Sequence, residues 1–180
     1  MLKVAITGNI ASGKSVVEKI LESKGYKIYD TDKIAHEILE NSFEVKQVFG
    51  TTDRKKIAEV VFSDSEKLKL LESIIHPMVE DELNKIFSND LEIVFISVPQ
   101  LFETGFDKFF DMIIYVTADK QTRLERLMKR NSFSEEEAIK RINAQKEDGK
   151  LEKSNFVIKN DLDLLTLESE VEKILSILVR

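Results

Sequence analysis

Gly8 to Ser15 reads GNIASGKS, between an apolar run, Leu2 to Thr7 (LKVAIT), and a helical pattern from Lys14 to Ser23. The stretch fits GxxxxGK followed by Ser or Thr, the loop that cradles nucleotide phosphates. Its chemistry asks for these residue types in this order. Glycines let the chain turn tightly and bring backbone N–H groups close to phosphate oxygens, and the helix behind them presents its positive N-terminal end. Gly8, Asn9, Ile10, Ala11, Ser12 and Gly13 form the cradle, Lys14 reaches the β and γ phosphates of the nucleotide, and the Ser15 hydroxyl is the metal ligand, for Mg2+. The strand before and the helix after set the motif apart from a glycine-rich turn without a ligand.

Composition narrows the rest. A chain of 180 residues with 42% hydrophobic content suits one globular P-loop domain with room for an inserted subdomain. No apolar run approaches the roughly 18 residues of a membrane span, and Met1 leads straight into the first strand, so a cytoplasmic address is expected. With no cysteine, disulfides, zinc thiolates and thiol catalysis are excluded. The net charge of -6 argues against a broad nucleic-acid surface, yet residues 120 to 153 hold ten Lys and Arg against seven acids, a net +3. A basic segment in an acidic chain suits a compact polyanion such as a nucleotide. No obligate protein partner is indicated.

Along the chain, Val16, Val17, Ile20 and Leu21 give the first helix one apolar face, ended at Lys24-Gly25. A short strand at Lys27 to Tyr29 runs into Asp30-Thr31-Asp32, at the strand edge where open α/β sheets bind ligands. Asp32 there reads either as a helix cap or as a ligand-facing carboxylate. Asn41 to Asn89 is helical in pattern, an insertion in a βα array, with a capping box expected at Ser63 and Glu66 and a helix start at His76-Pro77. Glu92 to Val98, Met112 to Thr117 and Phe156 to Ile158 read as the third to fifth strands. Leu164, Leu167, Val171, Ile174 and Leu178 form a final apolar stripe. Arg123, Arg126 and Arg130 share one helix face, and Ser134 with Glu137 begins the next helix by a capping box. These two basic helices are placed to close over phosphates as a lid. The alternation predicts an α/β fold, a five-stranded parallel sheet flanked by helices. No acidic pair ends the third strand and no NKxD appears, which disfavours ATP motors and GTPase switches.

The segments TGNIASGKS, YDTD, DRKKIAEVVFSD, IIHPMV, VPQLFE, RLMKR, RINAQ and FVIKN, in this order, resemble the dephospho-coenzyme A kinase family. The resemblance implies a nucleotide-kinase-like P-loop fold with a helical acceptor subdomain (33–90) and a lid (119–150). It implies transfer of the ATP γ-phosphoryl group to the ribose 3′-hydroxyl of dephospho-coenzyme A. Lys14, Asp32 and Arg141 then match catalytic positions, and Arg126, Arg130 and Asn160 join the loop in holding ATP. Asp32, Arg54, His76 and Glu103 match acceptor contacts. Thr31, Gln100 and the run Lys159-Asn160-Asp161 depart from the family pattern, the last at the expected edge of the adenine. The rival readings are a nucleoside-monophosphate or small-alcohol kinase of the same fold, and a nucleotide-sensing protein without transfer.

Overall fold

Four stretches of the chain are apolar without alternation, and such strands are stable only where both faces of a sheet are covered. The computed structural model, which describes residues 1–145 and 149–179, places them together. Strands β1 (Leu2–Gly8), β2 (Ile28–Asp30), β3 (Ile93–Ser97), β4 (Met112–Thr117) and β5 (Phe156–Lys159) form a five-stranded parallel sheet in the order β2-β3-β1-β4-β5. β1 is central, with Ile6 opposite Ser97 of β3 and Gly8 opposite Val116 of β4, so the end of β1 is flanked by strand ends. The intervening helices are α1 (Lys14–Ser23), α2 (Thr31–Asn41), α3 (Phe43–Phe49), α4 (Arg54–Phe62), α5 (Ser65–Phe87), α6 (Lys120–Asn131), α7 (Glu135–Asn143) and α8 (Leu164–Leu178). A 3-10 turn, Phe106–Phe109, follows β3.

The chain divides into two units, residues 1–29 with 91–180 and residues 30–90. In the first, Val17, Ile20 and Leu21 of α1 pack with Leu167, Val171, Ile174 and Leu175 of α8 against Val4, Ile6, Phe95, Ile114, Val116 and Ile158 of the sheet. The stripe expected on the last helix is therefore core, except that Leu164 in its first turn is 55% exposed. A smaller cluster joins Leu124 and Leu127 of α6 to Ala138 and Ile142 of α7, with Ile10 and Ala11 of the phosphate loop packed against it. No helix among the described residues is long and apolar enough to cross a membrane.

In the second unit, α5 is the spine against which α2, α3 and α4 pack. It runs unbroken for 23 residues with Pro77 inside it, which corrects the helix start expected at His76-Pro77. An internal proline costs about 3 kcal/mol through its missing N–H. Ile74, Ile75, Val79, Leu83 and Ile86 are all buried on both sides of it, at roughly 1.5 to 3 kcal/mol each, and that outweighs the penalty. The capping box at Ser63 and Glu66 is also corrected. Asp64 is the cap, taking Glu66 N–H at 3.0 Å and Lys67 N–H at 3.1 Å, while Ser63 closes α4 by bonding the Glu59 carbonyl. A carboxylate one residue nearer the helix is the better acceptor for two first-turn amides.

Candidate active site

The loop after β1 is shaped by what its neighbours exclude. A side chain on Gly8 would meet the Val116 carbonyl, and Gly13, at φ 93, lies against the Asn160 side-chain amide, where a Cβ would overlap it. Asn9 N–H bonds the Val116 carbonyl at 3.3 Å, Ser12 N–H bonds the Asn9 carbonyl at 3.1 Å, and buried Tyr115 donates its hydroxyl to Asn9 Oδ1. Ala11 completes the turn at φ 59. α1 then starts with Gly13 as its N-cap, with no side-chain cap and no acid in its first turn. Among the described residues no side chain caps those amides, and a helix start left open in this way suits an anion.

Lys14 stands at that opening. Its ammonium donates to Glu18 Oε1 at 2.7 Å, one turn along α1, and to the hydroxyl of buried Ser97 at the end of β3. Ser97 occupies the place where ATP motors carry an acid. Ser15 is exposed beside it, and the described residues hold no cluster of three or more His, Asp or Glu suited to a metal. The Ser15 hydroxyl is an oxygen donor of the kind Mg2+ accepts.

The sequence-predicted partners of the loop separate into two groups. Arg126 and Asn160 are brought to it. Arg126 donates to the Ser12 carbonyl at 3.3 Å and the Asn160 carbonyl at 2.9 Å, and Asn160 Nδ2 donates to the same Ser12 carbonyl at 2.9 Å. Arg130 and Arg141 are exposed: Arg130 bonds Asn131 at 2.8 Å and Arg141 lies 4.4 Å over the Phe133 ring. The charged face expected along α6 is thus graded, because Arg123 is only 3% exposed while Arg126 is half-buried. The capping box of Ser134 and Glu137 is present. Residues 146–148 of the expected lid lie outside the described residues.

Gln145, beyond the end of α7, was not among the expected site residues, yet its Oε1 accepts Ile10 N–H at 2.7 Å. With the apolar packing of Ile10 and Ala11, this ties the α6–α7 pair directly to the phosphate loop. The departure at Lys159 and Asp161 has a structural role. Lys159 pairs with Asp119 at 3.1 Å and Asp161 at 3.2 Å, and Asp161 accepts the Asp119 N–H at 2.6 Å, holding the start of α6 to the end of β5. Burial opposes the charge on Asp161, but the Asp119 amide and the Lys159 ammonium outweigh it and hold its carboxyl below the usual range. Glu103 bonds Lys150 at 2.5 Å.

In the helical unit, Asp30 is the N-cap of α2, accepting Asp32 N–H at 2.9 Å, so the cap reading of Asp32 is replaced. β2 ends one residue later than expected, and that shift gives Asp30 the capping geometry. Arg54 lies in the first turn of α4, with Nη1 3.4 Å from His36 Nδ1. His76 lies in the middle of α5.

Three similarities bear on this arrangement. The family model described as dephospho-CoA kinase matches residues 2–165. A dephospho-CoA kinase of Fusobacterium nucleatum is 37% identical over 183 residues, covering 94% of this chain and 95% of that one. Among solved structures, a Thermus thermophilus protein aligns with a TM-score of 0.86 at 36% identity, covering 97% of this chain and 96% of its own. A dephospho-CoA kinase from Campylobacter jejuni aligns with a TM-score of 0.75 at 31% identity, covering 97% and 95%.

Proposed function

Since the chain belongs to the dephospho-CoA kinase family, we propose that it transfers the γ-phosphoryl group of ATP to the ribose 3′-hydroxyl of dephospho-coenzyme A. The observation that supports this most directly is the uncapped start of α1, with Gly13 at the cap and Lys14 beside it. Phosphoryl transfer asks little covalent chemistry of a protein, so catalysis rests on alignment and on charge set against the equatorial oxygens. The loop amides and Lys14 take the β and γ phosphates, and Arg126 and Asn160 secure the loop from the β5 side. The Ser15 hydroxyl would hold Mg2+, which would supply further positive charge to the phosphate oxygens.

Asp32 accepts the proton of the acceptor hydroxyl or orients it for attack, and Asp30 keeps the helix beneath it formed. Residues 33–90 form the acceptor-binding subdomain, to which Arg54 and His76 contribute contacts. Residues 119–150 form the lid. Arg130 and Arg141 reach the nucleotide on its closure, which also excludes water as a competing acceptor. The deciding experiment is turnover with ATP and Mg2+ across dephospho-coenzyme A, AMP and shikimate, with the mass of each acceptor read afterwards. A gain of one phosphoryl group on dephospho-coenzyme A alone is expected. Equal or better turnover of AMP would sink the assignment.

A further inference from the structure

Between α7 and β5, Lys150 ends the lid segment and Lys153 follows it. They sit on a single helical turn that enters at Gly149, φ 73, and is closed by Lys153 N–H to the Gly149 carbonyl at 3.2 Å. Ser154 Oγ ties back to the Lys150 carbonyl at 2.7 Å. Asn155 then exchanges two bonds with Ile113 of β4, its N–H to the Ile113 carbonyl at 3.0 Å and its Oδ1 from the Ile113 N–H at 2.8 Å. The turn is therefore anchored to the sheet, and its spacing of three residues sets Lys150 and Lys153 on one side. Lys150 meets Glu103 at 2.5 Å with only 12% of its side chain exposed, and the Lys153 ammonium lies 5.8 Å from the Phe102 ring centroid.

Both lysines line an open cavity of about 640 Å³ whose other walls include Gln100, Phe102, Glu103 and Gln145. This volume is of the order that holds a nucleotide-sized ligand. Through Gln145 the cavity adjoins the phosphate loop at Ile10. Its wall after β3 leaves the sheet on one side of β1, whereas Arg126 and Asn160 approach the loop from the β4 and β5 side. That wall thus stands across β1 from Arg126 and Asn160. Among the described lining residues, two ammonium groups stand against one carboxylate, a net positive charge beside a flat phenyl face. That chemistry suits a dianionic diphosphate attached to a ring or an apolar arm better than a lone phosphate.

We propose that Lys150 and Lys153 bind the diphosphate of the acceptor, with Glu103 holding Lys150 at the cavity wall until the acceptor arrives. This rests on dephospho-coenzyme A being the acceptor. The test is steady-state kinetics on Lys150→Gln, Lys153→Gln and the double variant, with KM for ATP and for dephospho-coenzyme A determined separately and thermal melts on each protein. Each single change is expected to raise the KM for dephospho-coenzyme A by about tenfold, the loss of one charge-assisted contact, with KM for ATP and kcat within about twofold. The acceptor penalty should shrink as salt rises. Lys153→Gln leaves the Lys150–Glu103 pair intact, so it carries the test if the double variant does not fold. Wild-type turnover with an unchanged acceptor KM in Lys153→Gln overturns this inference alone, as does an equal rise in the KM for ATP. Absence of wild-type turnover on dephospho-coenzyme A overturns the acceptor assignment and this inference together.

Discussion

The starts of α1 and α2 meet the same electrostatic problem and answer it in opposite ways. Each leaves first-turn N–H groups without an intrahelical acceptor. At α2 the Asp30 carboxylate takes one of them, and at α4 and α5 Asp53 and Asp64 each take two. At α1 the cap is a glycine, no side chain accepts, and Lys14 adds positive charge. Forgoing a capping side chain costs a helix about 1 kcal/mol, so the open end is explained when an anion completes it. The capped starts show which acids are already committed to stability.

The largest effect that sharpens this contrast is at neighbouring acids of α2. Asp32→Asn keeps the backbone N–H that Asp30 holds, so stability should stay level while kcat falls by roughly 100-fold or more, the usual contribution of a positioned acid or base. Asp30→Ala should do the reverse. Its melting temperature should drop by about 2 to 4 °C for a lost cap of about 1 kcal/mol, with kcat changed by no more than about threefold. Kinetics and melts on the two variants in parallel separate these outcomes, and a near-normal kcat in Asp32→Asn refutes its catalytic role.

Next in size are the arginines near the open end. Arg126→Ala removes both bonds that brace Ser12 and Asn160, and kcat/KM for ATP should fall by more than about tenfold. Arg130→Ala and Arg141→Ala should each lower it by more than about tenfold as well, through the charge that closure delivers to phosphate. Unchanged kinetics in all three would make this a solvated face. Smaller again is Glu18→Gln, which frees Lys14 from a partly exposed ion pair. Such pairs contribute up to about 1 kcal/mol, so the KM for ATP should fall by up to about fivefold. A rise instead would show that Glu18 aims Lys14.

The parts legible in the sequence were those fixed by local pattern. Val4 to Ile6 and Val94 to Ile96 are apolar on both faces because both faces are covered, and Leu167, Val171 and Ile174 follow the helical period of a buried face. The glycines of the loop after β1 were legible because Gly8 and Gly13 each answer a close approach. What was not legible depends on distance along the chain or on a one-residue offset. Gln145 lies 135 residues from Ile10, and nothing in its neighbours announces that contact. Tyr115 reads as one more strand residue, although its hydroxyl supports Asn9. Asp30 and Asp32 exchange the capping role according to where β2 ends, and Pro77 stays inside α5 because burial on both sides of it exceeds a local penalty.

The smallest effect concerns a third kind of helix start. α6 has no capping bond from its own Asp119 side chain; instead Asp161 arrives from beyond β5 to take the Asp119 N–H, with Lys159 bridging the two acids. Side-chain bonds to Asp119 and then Asp161 raise the Lys159 ammonium above its usual 10.5, and the Asp161 carboxyl lies below its usual 3.8, where the amide and ammonium outweigh burial. A carboxyl depressed on folding gives stability that is whole above 3.8 and is lost as pH falls through its folded value, while a raised ammonium gives stability that is whole below 10.5 and is lost as pH rises through its own. Asp161→Asn retains an oxygen for the Asp119 amide but removes the charge. The melting temperature of the variant should therefore lie below that of the parent by a constant margin between about pH 5 and about pH 9, and the margin should vanish as the parent carboxyl protonates in acid. A margin that persists unchanged at about pH 2 would show that the clamp does not depend on ionisation. The KM for ATP, measured on the same proteins, should stay within about twofold, whereas a rise beyond about tenfold would place Asp161 among the nucleotide contacts rather than in the brace of α6.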